Sequence, residues 1–330
     1  MRFKTRRPLS SLCLLLPILL IACARTIPPP QPPPPDVISR VTAAKSIFLS
    51  NAGVNDYFAS EIPGGPNVAY NEFYAALQQW GYFHLADSPA HADLILQIRG
   101  TEQMPQLQRT GMAFDQATAV QHPPILELSI LDPSTLAPID TLTLPASRGP
   151  NIPKGTAAFA NSIEWLAYKL KLLVATPPRP PATLQASASR PAHPPLTQSI
   201  APIPPQVLHA KNVFIETTAP PNDHYYKAFT AALTTWGYYH LVATPQAADI
   251  VFDFHNETAS GINNDDANGI YVTLHPPASK VILWTITDPH YGLYGYDGHY
   301  RVNALTRNLI SAFKQLNHIP LTPAETTALR

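Results

Sequence analysis

Cysteine, methionine and charge are what this 330-residue chain has least of: two Cys, three Met and 13% Asp, Glu, Lys and Arg. Cys13 and Cys23 both fall within the first 23 residues, so everything after them lacks a disulfide and must be held by packed cores. The 22 basic and 22 acidic residues balance, which removes the basic face that a nucleic-acid partner requires. Beyond Ile21 no apolar run approaches the ~20 residues of a membrane span. Missing too are a nucleophile elbow, an H-E-x-x-H pair, a P-loop and a dinucleotide fingerprint. The expectation is a protein that is not an enzyme and takes no cofactor or metal.

What the chain has in excess is proline, 38 residues of it. Pro28 to Pro30 and Pro32 to Pro35 form one cluster, and ten more lie between Pro177 and Pro205 in a stretch otherwise rich in Ala, Ser and Thr. Such segments cannot bury a core and sample polyproline II, so both read as linkers. On that basis the domains they join are expected to orient independently.

The amino terminus has the layout of a secretory signal. Arg2, Lys4, Arg6 and Arg7 precede an apolar stretch from Leu9 to Ile21 that holds Pro17 and is short for a span. Leu20-Ile21-Ala22-Cys23 resembles the bacterial lipobox. The resemblance implies cleavage before Cys23, acylation of that cysteine, and, because Ala24 rather than Asp follows, an outer-membrane anchor facing the periplasm. Several acyl chains on one residue make such an anchor stable. Loss of the four signal cations leaves a formal charge of about −4.

The chain after the signal is duplicated. Trp80-Gly81-Tyr82-Phe83-His84-Leu85 returns as Trp236-Gly237-Tyr238-Tyr239-His240-Leu241, and Ala92-Asp93-Leu94 as Ala248-Asp249-Ile250, at an offset of 156 residues. The same offset carries Asp132-Pro133 onto Asp288-Pro289, which suggests one unslipped register from the tryptophan to the second Asp-Pro. Ahead of Asn51 the offset is 166, so the first copy is expected to differ mainly by a longer loop over Asn51 to Asn67, across which the offset falls to 156.

Hydrophobic period supplies the elements. Ser46 to Ser50 and Asn212 to Thr217 read as opening strands. Phe73, Leu77 and Trp80, matched by Phe229, Leu233 and Trp236, form one apolar helix stripe that Gly81 or Gly237 terminates. Ser88-Pro89 and Thr244-Pro245 suit a single capped helical turn. Strands follow at Leu94 to Ile98 and Ile250 to Phe254, then Ile125 to Leu131 and Val281 to Thr287, then Ile139 to Leu144 and Tyr294 to Arg301. Helices carrying Ile163, Leu166 and Leu170, or Leu305, Leu309, Phe313 and Leu316, close the copies. The fold class is α+β, with two tandem β-α-β-β-β-α domains, each a mixed sheet with helices packed against it. Boundaries fall at 1–22 (signal), 23–43 (tether), 44–173 (first repeat), 174–208 (linker), 209–318 (second repeat) and 319–330 (tail).

Gly81-Tyr82, Ala92-Asp93-Leu94-Ile95-Leu96 and Asp132-Pro133, with their copies Gly237-Tyr238, Ala248-Asp249-Ile250-Val251-Phe252 and Asp288-Pro289, resemble a broad family of bacterial envelope domains. That family includes the amino-terminal domain of TolB, the lipoprotein activator of a penicillin-binding protein, the curli-secretion lipoprotein and many uncharacterised lipoproteins. The resemblance implies action by protein contact or assembly. No propeller follows the second copy, and no long alternating hairpin suited to a transmembrane barrel is visible.

The candidate sites divide between architecture and binding. Trp80, Gly81, Asp93 and their counterparts Trp236, Gly237 and Asp249 read as structural, with the two carboxylates, each just before a buried strand, accepting backbone N–H groups of the turn there. His84 and His240 read as strand residues without a carboxylate at metal-ligand spacing. Asn264 to Gly269 matches part of a calcium loop, but the twelfth position is His275, which favours a hairpin tip. Tyr291, Tyr294, Tyr296 and Tyr300, interleaved with glycines, are the candidate binding surface. The functional expectation is a lipid-anchored scaffold or regulator with an envelope protein as partner and no nucleic acid. A small-ligand or glycan-binding lipoprotein and a hydrolase with an unrecognised site stand as alternatives.

Overall fold

The computed structural model describes residues 35–54, 66–101, 106–109, 117–120, 125–145, 156–174, 201–220, 222–256, 270–287, 298–323 and 326. The lipobox and Cys23 lie outside them. The first repeat comprises α1 (Pro35–Ala43), β1 (Ser46–Val54), α2 (Val68–Trp80), β2 (His84–Leu85), β3 (Leu94–Thr101), β4 (Gln106–Arg109), β5 (Ala117–Val120), β6 (Ile125–Leu131), β7 (Pro138–Pro145) and α3 (Thr156–Val174). The second comprises α4 (Pro205–His209), β8 (Asn212–Thr217), α5 (His224–Trp236), β9 (His240–Leu241), β10 (Ile250–Asn256), β11 (Ile270–His275), β12 (Trp284–Thr287) and α6 (Gly298–Leu316).

The fold is α+β, and both repeats build one architecture. The first sheet has the order β2-β1-β3-β6-β7 and the second, read from the matching end, β9-β8-β10-β11-β12. In each, the first strand runs parallel to the second and third while the last two are antiparallel additions, so the sheet is mixed. β4 and β5 form a separate hairpin in the first repeat.

The helix stripe falls where the period puts it. Tyr70, Phe73 and Leu77 are buried on α2, and Tyr225, Phe229 and Leu233 on α5. Both helices stop at a left-handed glycine, Gly81 at φ 66° and Gly237 at φ 68°, whose N–H groups bond the Leu77 and Leu233 carbonyls. A side chain there would carry the strain that glycine escapes. One scaffold takes two packings: Phe229, Phe252, Phe254 and Phe313 stack in the second core, with Phe252 and Phe313 centroids 4.8 Å apart, where the first places Phe73, Leu96, Ile98 and Leu170.

Several boundaries differ from the sequence reading. The tether ends sooner than residue 43, because α1 buries Val37 and Val41. The linker ends before residue 208, because Ala201 is buried and α4 buries Val207. Val207 and Ala210 repeat Val41 and Ala44, so each repeat begins with an entry helix that proline-rich composition concealed. Ser88 and Thr244 do precede single helical turns, yet neither hydroxyl caps its turn; Ser88 Oγ lies 3.1 Å from His91 Nδ1 instead.

The Asp-Pro equivalence is also corrected. Ile95 pairs with Leu131, whereas Val251, its copy, pairs with His275. The strand that matches β6 is therefore β11, the strand that matches β7 is β12, and the register slips again between β3 and β6. Asp132-Pro133 follows the third long strand of its repeat and Asp288-Pro289 the fourth, so the shared dipeptide is coincidental. Asp132 makes a true turn, its Oδ1 accepting the Ser134 and Thr135 N–H groups at 2.9 and 3.1 Å, while Pro276 starts the corresponding turn by accepting from Ser279 N at 3.1 Å. The expected strand from Tyr294 to Arg301 is helix from Gly298 onward, because the 3.6-residue stripe of Val302, Leu309, Phe313 and Leu316 outweighs the Gly/Tyr alternation.

The repeats do not orient independently. β1 is nine residues long against six for β8, and its far end runs past β2 to meet β12. Ser50 Oγ donates to the Ile282 carbonyl at 2.5 Å, and Tyr70 packs edge-on against Trp284 at 5.0 Å. The end of the proline-rich segment closes the seam, with Tyr70 OH donating to the Pro202 carbonyl at 3.1 Å and Ala201 N to Asn71 Oδ1 at 3.1 Å. Burial at this seam pushes the Tyr70 phenol well above its ordinary range. A long linker sets the reach of a chain, but buried surface at its ends decides the arrangement.

Candidate functional site

The repeated residues take structural places. Asp93 Oδ2 accepts the Lys45 and Ser46 N–H groups, both at 2.8 Å, and Asp249 Oδ2 those of Lys211 and Asn212 at 2.9 and 2.7 Å. Each carboxylate therefore pins the start of the first strand of its repeat from the start of the third. These backbone hydrogen bonds hold both carboxyls below the usual range.

Trp80 and Trp236 are half-buried at the rim of the core. Each indole stacks on the tyrosine after the glycine cap, at 5.3 Å for Tyr82 and 5.1 Å for Tyr238, and lies near a lysine of the closing helix, Lys171 at 5.5 Å and Lys314 at 5.9 Å. His84 and His240 are exposed on the edge strands. Of the tyrosine cluster, Tyr291, Tyr294 and Tyr296 lie outside the described residues, as does the 264–269 loop, and Tyr300 belongs to α6.

Two features went unseen in the sequence. The first is on α3. Lys171 and Lys314 hold equivalent places over the two indoles, and Leu170 matches Phe313, so Trp165 and Tyr168 correspond to Asn308 and Ser311. Asn308 and Ser311 are buried, but Trp165 is 55% exposed and Tyr168 49%, packed edge to face with centroids 5.5 Å apart. The helical stripe of α3 concealed this pair because apolar residues continue around most of the helix.

The second is on the face of the second sheet opposite α5 and α6. Asp253 pairs directly with Glu216 across β10 and β8, and with Thr273 across β11; His275 stands two residues further along that same face. The ligand atoms of Glu216, Asp253 and His275 lie within 4.8 Å of one another. Burial raises the Asp253 carboxyl, but the hydrogen bond and charge of His255, with Lys280 and His275, outweigh it and hold the group low. Lys280 Nζ reaches Glu216 Oε2 at 2.5 Å from solvent. Sequence spacing could not find this trio, since it forms only from strand register.

A cavity of about 170 Å³ lies between the first repeat and the 202–205 segment, lined by Phe48, Tyr70, Tyr74, Leu85 and Pro202 among others. It falls below the ~300 Å³ of a usual small-ligand site. In comparison with known proteins, the chain matches no family model and no curated sequence.

Proposed function

We propose that this is a lipid-anchored envelope protein, duplicated from a domain like those of the TolB amino terminus and the penicillin-binding-protein activator, that acts by binding a protein partner and not by catalysis. The observation that carries the reading is the exposed Trp165 and Tyr168 pair. An edge-to-face aromatic pair in solvent contributes little to its own domain, whereas Trp and Tyr are the commonest anchors of protein interfaces. The equivalent helix of the second repeat carries Asn308 and Ser311, so the shared fold has no need of aromatics there. The shared polar residues Asp93 and Asp249 are meanwhile engaged by backbone.

The lipobox supplies the anchor, with acylation at Cys23 and an outer-membrane position facing the periplasm. Cys23→Ser releases the protein into the soluble envelope fraction if the anchor is right, and retention on membranes refutes it. Trp165→Ala with Tyr168→Ala leaves the melting temperature within a few degrees while abolishing crosslinks formed by the parent in intact cells. Unchanged crosslinks in that folded variant refute the surface.

A further inference from the structure

We propose that the second repeat holds one divalent transition-metal ion of the zinc class, bound by His275 Nε2 with the carboxylates of Asp253 and Glu216. The imidazole is the strongest witness. His275 Nδ1 lies 2.9 Å from the Pro276 carbonyl, an oxygen that can only accept, so Nδ1 carries the proton and Nε2 presents its lone pair. The His275 side chain is 5% exposed, and Nε2 is buried without a hydrogen-bond partner among the described residues. Its nearest carboxylate atom, Glu216 Oε2, is 3.7 Å away. A ligating histidine is ordinarily oriented by such an N–H to carbonyl bond on its other nitrogen.

The carboxylates make the same case. Asp253 Oδ1 is buried without a hydrogen-bond partner among the described residues, while Oδ2 faces His255 Nε2 at 3.3 Å. Leaving a carboxylate oxygen and an imidazole nitrogen desolvated and unpaired is costly, and a cation between them removes the cost. The ligand atoms, all within 4.8 Å of one another, need close by at most about 1.5 Å to reach the ~3.3 Å spacing of donors around a tetrahedral ion with bonds near 2.0–2.1 Å. One nitrogen and two oxygens suit zinc and its neighbours better than calcium or magnesium, which select oxygen.

The repeat provides an internal control. The structural counterparts of Glu216, Asp253 and His275 are Ser50, Gln97 and Leu131, given by the pairings Ser50 with Gln97 and Ile95 with Leu131. The fold does not demand charge here, and only the second copy assembles it. Lys280, from the solvent side, supplies a positive charge on Glu216 that an incoming ion displaces; the side it occupies is where a fourth ligand enters.

The test uses the detergent-solubilised full chain, stripped with chelator and titrated with Zn²⁺ or Co²⁺. Expected are one ion per chain with Kd below about 10 µM, unaffected by millimolar Ca²⁺ or Mg²⁺, and a Co²⁺ absorption band of a nitrogen-oxygen site. Asp253→Asn and Glu216→Gln lower the affinity at least tenfold with circular dichroism retained, Lys280→Ala tightens it, and Gln97→Ala does nothing. Because the chain has 12 His, weak binding elsewhere is discriminated by these variants. Absence of stoichiometric binding, or binding that survives Asp253→Asn and Glu216→Gln unchanged, overturns the proposal and leaves the trio an imidazole and ion-pair cluster.

Discussion

The Asp249 carboxylate accepts the backbone N–H of Asn212 at 2.7 Å, tying the first residue of β8 to the residue that precedes β10. Lys211 N–H reaches the same oxygen, and Asp93 repeats the arrangement on Lys45 and Ser46. These two parallel strands are joined in sequence by a long crossover that includes α5 and β9, or α2 and β2, so the carboxylate fixes their relative register at the end where they begin.

Asp249→Ala is expected to cost about 1 kcal/mol, the worth of charge-assisted hydrogen bonds discounted for an exposed group. The folded carboxyl is depressed, so its contribution is present above the unfolded value near 4 and is lost as pH falls through the lower folded value. Urea denaturation at pH 7 and pH 3 checks both points: the difference between parent and variant shrinks in acid.

The glycine caps and helix stripes were legible in the sequence, and so was a backbone-binding role for Asp249, but its donors were not: they open β8 instead of belonging to the turn before β10. The entry helices were not legible, since proline at a first helical position looks like proline in a linker. Nor was the equivalence of β11 to β6, because Asp288-Pro289 offered a better sequence match than the true counterpart, Pro276-Pro277. The seam and the Glu216, Asp253 and His275 trio depend on long-range register, which no local period encodes.

Half-burial moderates the expected effect of the repeated tryptophan. Trp236→Ala should cost about 2 kcal/mol, less than the ~3–5 kcal/mol of a fully enclosed aromatic such as Phe313. The indole loses its stack on Tyr238 and its contact with Lys314 but leaves an open rim instead of a sealed cavity. Chemical denaturation of both variants gives the order directly, and equal losses would place Trp236 in the core.

Glu72 sits on α2 with Oε2 buried and without a partner among the described residues, and burial raises its carboxyl to about 7. The folded state then binds the proton more tightly than the unfolded chain. The resulting stability is present at pH 4 and disappears as pH rises through about 7. Glu72→Gln should therefore raise the melting temperature at pH 8 by more than at pH 5, and a shift independent of pH would show that the carboxyl is not desolvated.

Gly53 has φ 73°, and a Cβ there would stand 2.8 Å from the Thr285 side chain across the seam between repeats. Gly53→Ala thus meets left-handed strain and a steric clash together, at a cost of ~1–3 kcal/mol. The burden falls on the junction of β1 with β12, where Ser50 also donates to Ile282, and spares the two cores. The expected outcome is looser coupling of the repeats: faster cleavage between residues 175 and 200 under limited proteolysis and a larger radius of gyration in solution scattering. Gly81→Ala is the control, since a Cβ at Gly81 meets nothing closer than the Gln78 carbonyl at 3.9 Å; it strains a helix cap without touching the seam and should leave the scattering profile unchanged. If Gly53→Ala scattered like the parent, the close approach of Gly53 to Thr285 would not be needed to hold the repeats together, and the contacts of Ser50, Tyr70, Trp284 and Pro202 would suffice.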